Sequence, residues 1–126
     1  MAYIFFMNNP LGKNVGDCAI RAVSKAMNMS WEETYKELSV QGFCMADLPN
    51  SEAVYGGFLF LNGFARKSIE TECPDCFTVR DFCEEHPKGV YVLVCNSHAV
   101  CVIDGSYYDS FDSGSEIPAY VWEKVR

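Results

Sequence analysis

The chain predicts an α+β fold in which N-terminal helices pack on a C-terminal antiparallel β-sheet. Apolar residues recur at helical spacing through the first two-thirds, each run preceded by a capping residue. From Val90 onward the pattern changes to short continuous apolar runs separated by tight-turn residues. The length of 126 residues suits one domain with its own core, and no repeat or linker divides it.

Residues 2–7, rich in Tyr, Ile and Phe, read as a short strand or extended arm. Asn8 to Gly16 is a loop broken by Asn-Asn-Pro and two glycines. Helix one covers 18–28: Asp17 is the expected N-cap, and Ile20, Val23 and Met27 mark one apolar face. Ser30-Trp31-Glu32-Glu33 is a capping box opening a second helix with Trp31, Tyr35 and Leu38 as its buried stripe. Gly42 is its expected C-cap.

Ser51 caps a third helix carrying Val54, Phe58 and Leu61 and ending at Asn62-Gly63, although Gly56-Gly57 inside it weakens helix propensity. Phe64 to Glu70 reads as a strand, and Thr78 caps a short fourth helix reaching His86. Val90 to Cys95 is apolar without alternation, as expected of a central strand covered on both faces. His98 to Ile103 is a second strand, Asp104-Gly105 a hairpin turn, and Tyr107 to Phe111 the returning strand.

Composition narrows the functional classes. A formal net charge of −7, with basic residues only loosely grouped, argues against nucleic acid, which is bound through clusters of Lys and Arg. Met1 to Met7 is too short and lacks the basic start of a secretory signal. No stretch approaches the roughly 18 apolar residues of a membrane span. Seven cysteines, an odd number, are therefore expected as reduced thiols in a cytoplasmic protein rather than as a disulfide framework. The sequence does not encode an oligomeric state.

Three residues stand in an order that carries chemistry. Cys18 falls in the first turn of helix one, where unpaired amides and the helix dipole favour a thiolate. His98 opens a strand eighty residues later, and Asp109 and Asp112 follow beyond the next turn. Nucleophile on a helix start, base on a strand and acid beyond a turn suit acyl chemistry at a thiol. Each residue alone has an ordinary reading: a buried thiol, a core histidine, a turn-forming aspartate.

Hairpin register separates the two acids. With a two-residue turn at Asp104-Gly105, Ile103 faces Ser106 and His98 lies opposite Phe111. Asp109 is then a diagonal neighbour of His98 on the same face, about 7–8 Å away between backbones. A three-residue loop instead puts Asp112 directly opposite His98. The two-residue register is the commoner one, which favours Asp109. Arg21, three residues past Cys18, reads as a salt-bridge partner or loop anchor rather than a ligand for a substrate carboxylate. Tyr107, Tyr108 and Trp122 read as core aromatics before they read as cleft residues.

The motif Gly16-Asp17-Cys18-x-x-Arg21-Ala22 resembles the nucleophile motif of the ovarian-tumour deubiquitinases. Those enzymes usually carry Asp-Gly just upstream, where this chain has Val15-Gly16. The whole chain more closely resembles small papain-like proteins of Gram-positive bacteria and their phages. The resemblance runs through Asn9-Pro10, Gly16 to Ala22, Trp31-Tyr35-Leu38, His98-Asp104-Gly105 and Tyr108-Asp109-Ser110-Phe111-Asp112. It implies a papain-like fold with Cys18 and His98 as the catalytic pair. Papain-like proteases place an oxyanion-binding Gln six residues before the nucleophile; here that position is Gly12. Asn14, or more distantly Asn9, is the substitute donor, with the Cys18 amide as the second.

A separate constellation, Cys73-x-x-Cys76 and Cys83-x-x-His86, has the residue types of a structural zinc site, although six residues between the pairs is a short gap. Cys83 beside Phe82 also reads as a packing residue. The leading expectation is a cofactor-free cysteine hydrolase acting on a peptide or isopeptide bond in a protein or peptide substrate. The same machinery also serves deamidation, amide hydrolysis or acyl transfer. A non-catalytic papain-like interaction protein and a zinc module are the other classes.

Overall fold

The computed structural model describes residues 3–69 and 76–126. Four helices and a six-stranded sheet alternate in an α+β arrangement. In chain order they are β1 (Tyr3–Phe5), α1 (Cys18–Met27), α2 (Trp31–Met45), α3 (Glu52–Leu61), β2 (Phe64–Ser68), α4 (Val79–Glu85), β3 (Val90–Cys95), β4 (His98–Ile103), β5 (Ser106–Asp109) and β6 (Pro118–Lys124). The sheet order is β1-β5-β4-β3-β6-β2.

The central strands read as continuous apolar runs because both of their faces are covered. Val92 and Val94 of β3, with Ala99 and Cys101 of β4, face a core built with α1, α2 and α3. Tyr91, Leu93, Cys95, Val100 and Val102 point the other way and pack with Val79, Phe82 and Cys83 of α4. Alternation along each strand thus sends successive side chains into two separate cores. The apolar residues that α1 gives to the first of these cores are mostly small: Ala19, Ala22, Val23 and Ala26 are buried there with Ile20.

The β4–β5 hairpin has the two-residue register, with Ile103 paired to Ser106 and Cys101 to Tyr108. Asp104 and Gly105 have φ of 48° and 80°, as a type I′ turn demands. Ser30 and Thr78 form the capping boxes expected of them, and Ser51 accepts from the Val54 amide.

Four features depart from the sequence reading. The sheet is mixed, because β1 adds at its edge parallel to β5, pairing Tyr3 with Tyr107 and Phe5 with Asp109. A further strand, β6, lies between β3 and β2. Helix α2 does not stop at Gly42 but runs to Met45, with Ala46 taking the left-handed cap at φ 55°. Gly42 is glycine for a different reason: a Cβ there would sit 2.7 Å from the Asp47 carbonyl oxygen of the returning loop. The fourth departure is at Asp17, described with the site. Gly56-Gly57 inside α3 has a packing cause as well, since a Cβ on Gly56 would lie 2.8 Å from the Trp122 ring.

Candidate active site

Helix α1 begins at Cys18, and its first backbone hydrogen bond runs from the Arg21 amide to the Asp17 carbonyl at 2.9 Å. Asp17 occupies the N-cap position, yet its carboxylate caps no amide. One oxygen accepts from Arg21 at 2.8 Å and the other from Trp31 Nε1 at 2.9 Å. An ion pair within the helix and an indole from α2 have displaced the expected cap.

Arg21 continues this chain of charges. Its second nitrogen reaches Asp109 Oδ1 at 3.0 Å, at the end of β5. The arginine therefore bridges two buried carboxylates, one at the head of α1 and one on the sheet. This is the salt-bridge role expected for it.

Asp109 is fully buried and ringed by donors. Its Oδ2 accepts from the Ser113 hydroxyl at 2.6 Å and lies 2.6 Å from His98 Nε2, while Oδ1 also accepts from the Ser110 amide at 2.8 Å. Its carbonyl is fixed from β1 and the residue after it, by the Tyr3 hydroxyl at 3.1 Å and the Phe6 amide at 2.8 Å. The diagonal geometry expected of the hairpin is realised where β4–β5 pairing ends, beyond Cys101 and Tyr108. Phe111 flanks the imidazole, its ring centroid 5.0 Å away.

Asp112 is the alternative acid, and it is not at His98. Its Oδ1 takes the Tyr107 hydroxyl and the Gly114 amide, with Arg80 at 3.5 Å. The two-residue turn is what turns it elsewhere, since the longer loop needed to bring it across is absent from this hairpin.

With Nε2 held by Asp109, Nδ1 is the ring nitrogen left for Cys18, which lines the same groove as His98. Burial alone would raise the Cys18 thiol. The His98 hydrogen bond, the Ala99 backbone amide and the charges of His98 and Arg21 outweigh it and hold the thiol below its ordinary value. Burial would likewise lower His98, but its bonds to Asp109 and Cys18 push it up to about 9. Asp109 is itself held below the usual carboxylate range: burial opposes this, and the His98 and Ser113 hydrogen bonds overcome it. The Cys18 and His98 shifts both run in the direction that favours a thiolate–imidazolium pair.

Cys18 and His98 open into one groove of about 300 Å³, shared with Gly16, Ala19, Ser97, Asn50, Glu52 and Tyr55. The last three belong to α3 and the residues leading into it, and no sequence motif tied them to Cys18. The Ser51 cap marks where α3 starts, but not that this start faces the head of α1.

The two proposed oxyanion donors lie elsewhere. Asn14 is exposed and lines a neighbouring depression with Lys13, Ser110 and Phe111. Asn9 spends its side-chain oxygen on the Leu11 and Lys13 amides at 3.0 and 3.2 Å, an Asx-type brace of its own loop. Of the core aromatics, Tyr107 and Trp122 are buried as expected, and Tyr108 sits under the Lys25 ammonium at 4.5 Å.

The zinc constellation lies only partly among the described residues. Cys73 lies outside the described residues, and among the described residues no three His, Cys, Asp or Glu side chains gather as metal ligands. Cys83 is buried in the α4 core, where loss of solvent pushes its thiol up to about 11. His86 stacks on Phe82 at 3.8 Å, and its Nδ1 lies 2.9 Å from the Phe82 carbonyl oxygen. Both side chains are committed to packing around α4.

Comparison of the chain with protein-family models, with curated proteins and with solved structures yields no match. The site therefore speaks through its own geometry. Among the described residues no helix is long and apolar enough to cross a membrane.

Proposed function

We propose that this chain is a papain-like, cysteine-dependent hydrolase whose substrate is a peptide or isopeptide bond in a protein or peptide. One observation carries the reading. A thiol held low by an imidazole, which is itself braced by a fully buried carboxylate, opens into a solvent-accessible groove. A structural cysteine has no need of that arrangement, and the buried Cys83, Cys95 and Cys101 all have thiols pushed up by loss of solvent.

In the proposed reaction the Cys18 sulfur attacks the carbonyl carbon and the π pair moves onto oxygen. His98 Nδ1 gives its proton to the leaving amine as the C–N bond breaks, which leaves a thioester on Cys18. The neutral imidazole then takes a proton from water, the hydroxide attacks the thioester, and the thiolate–imidazolium pair is restored as the acid product leaves. Asp109 keeps Nε2 protonated and stabilises the imidazolium. Transfer to an amine instead of water, or attack on a side-chain amide, needs only a different acceptor or substrate.

Alkylation by iodoacetamide, followed residue by residue by mass spectrometry from pH 5 to 9, tests the reading. Cys18 is expected to react at pH 6 at least tenfold faster than the exposed Cys44, and His98→Ala to slow it by tenfold or more at that pH. A Cys18 rate equal to that of Cys44, or one indifferent to His98→Ala, refutes the proposal and favours a non-catalytic binding protein.

A further inference from the structure

An acyl transfer at Cys18 develops negative charge on a carbonyl oxygen, and neither Asn14 nor Asn9 is placed to receive it. The groove contains another donor. Tyr55, in the first turn of α3, is 3% exposed and lines the groove that holds Cys18 and His98. Its hydroxyl has no hydrogen-bond partner among the described residues, yet it is not one of the sealed polar atoms that lack one. A buried tyrosine normally finds a partner for its O–H, because losing water without replacement is costly. Here the ring is packed in the core while the residue lines the groove that holds Cys18.

Resting on the hydrolase reading, we propose that the Tyr55 hydroxyl donates a hydrogen bond to the carbonyl oxygen of the acyl group attacked by Cys18. The ring belongs to the core shared by α1, α3 and the sheet, so the donor is pre-positioned and needs little reorganisation. Burial pushes its hydroxyl well above the ordinary tyrosine range, and the charges of Tyr120, Glu52 and Cys18 push it further, so the group stays a neutral donor throughout the working range. As the sulfur–carbon bond forms, the carbonyl π pair becomes the oxyanion lone pair. The phenolic proton remains on Tyr55 and bridges to that oxygen. When the intermediate collapses, the C=O bond re-forms and the bond to the leaving group breaks.

The test compares two reactions at the same sulfur in wild type and Tyr55→Phe. Iodoacetamide is attacked at a methylene carbon by displacement of iodide, and no oxyanion forms. p-Nitrophenyl acetate is attacked at a carbonyl, giving an acetyl thioester and p-nitrophenolate, with the Cys18→Ala rate subtracted as background. The expected result is alkylation within twofold of wild type and acylation slowed tenfold or more. Equal acylation, with Cys18 alkylating rapidly in both proteins, overturns the role of Tyr55 and leaves the hydrolase reading intact. A parallel fall in both reactions also overturns it, since the hydroxyl would then be acting on the thiolate and not on the oxyanion. Slow alkylation of Cys18 in the wild type overturns the hydrolase reading, and this proposal with it.

Discussion

Replacing Arg21 by Met keeps most of the aliphatic volume and removes the charge from between two carboxylates. The guanidinium makes charge-assisted bonds of 2.8 and 3.0 Å, and its side chain and those of Asp17 and Asp109 are each under one-tenth exposed. Hydrogen bonds to charged groups contribute about 1.5–3 kcal/mol each, and breaking a buried ion pair from one side costs about 3–5 kcal/mol. The two bonds together set an upper range of about 3–6 kcal/mol. Neither carboxylate is stripped bare, however. Asp17 keeps Trp31 Nε1, and Asp109 keeps His98, Ser113 and the Ser110 amide. The expected loss therefore sits near the lower end, at about 3 kcal/mol.

Urea unfolding monitored by tryptophan fluorescence reads this directly. With a slope of about 2 kcal/mol per molar, the midpoint falls by about 1.5 M. Adding Asp17→Asn to Arg21→Met is expected to recover part of the loss, because one of the two orphaned charges is removed with the partner. Arg21→Lys, whose single ammonium cannot hold both carboxylates in the same fork, should fall between wild type and Arg21→Met. A loss below about 1 kcal/mol for Arg21→Met would refute the reasoning, by showing that the bridge is a solvated contact and not a buried one.

Two further predictions concern the acid and the helix packing. Asp109→Asn removes the carboxylate that raises His98, so the pH at which Cys18 alkylation reaches half its plateau should move upward, with a rate at pH 6 at least tenfold below wild type. Asp112→Asn, which touches Tyr107 and not His98, should leave that profile within twofold, and equal effects from the two substitutions would contradict the assignment. Gly56→Ala would raise stability by about 1 kcal/mol in an open helix. Here the added methyl lies 2.8 Å from the Trp122 ring, so thermal unfolding should instead show a loss of about 1–3 kcal/mol, and a gain would show that the indole moves aside freely.

What the sequence made legible follows the range of the interactions involved. The Ser30 and Thr78 caps, the Asp104-Gly105 turn and the Asp109 register are settled within a few residues, and local chemistry read them correctly. Strand β6 escaped because it opens on Pro118 and closes on Glu123-Lys124, so its pattern resembles neither a buried run nor a clean alternation. Its place beside β3 is a matter of long-range pairing. Gly42 misled for a related reason: the carbonyl that crowds it comes from the loop beyond the helix, and a helix-ending glycine and a close-approach glycine look alike in sequence. Tyr55 and the rest of the α3 end of the groove were invisible for the same cause, since only the packing of α3 beside α1 brings them to Cys18. Asp17 was read as a cap because its position is a cap position; its partners, Trp31 on α2 and an arginine shared with Asp109, depend on tertiary packing.

The charge chain from Asp17 through Arg21 to Asp109 addresses a difficulty that apolar packing leaves open. The apolar side chains that α1 buries are largely alanine, which permits close approach but gives few large side chains to interlock. Hydrophobic burial is non-directional, and a helix packed through such side chains is poorly fixed against small slides along its axis. The proposed reaction, in which thiol and imidazole must meet, cannot tolerate such a slide, since a displacement of about 1 Å is enough to cost a site much of its rate. Arg21 is directional where alanine is not. It sits one turn from Asp17 and three residues from Cys18, and it grips the same carboxylate that His98 uses to fix its ring. Both halves of the candidate pair are thereby positioned against one buried group, so the desolvation that Asp109 suffers is offset by donors that also align sulfur and nitrogen.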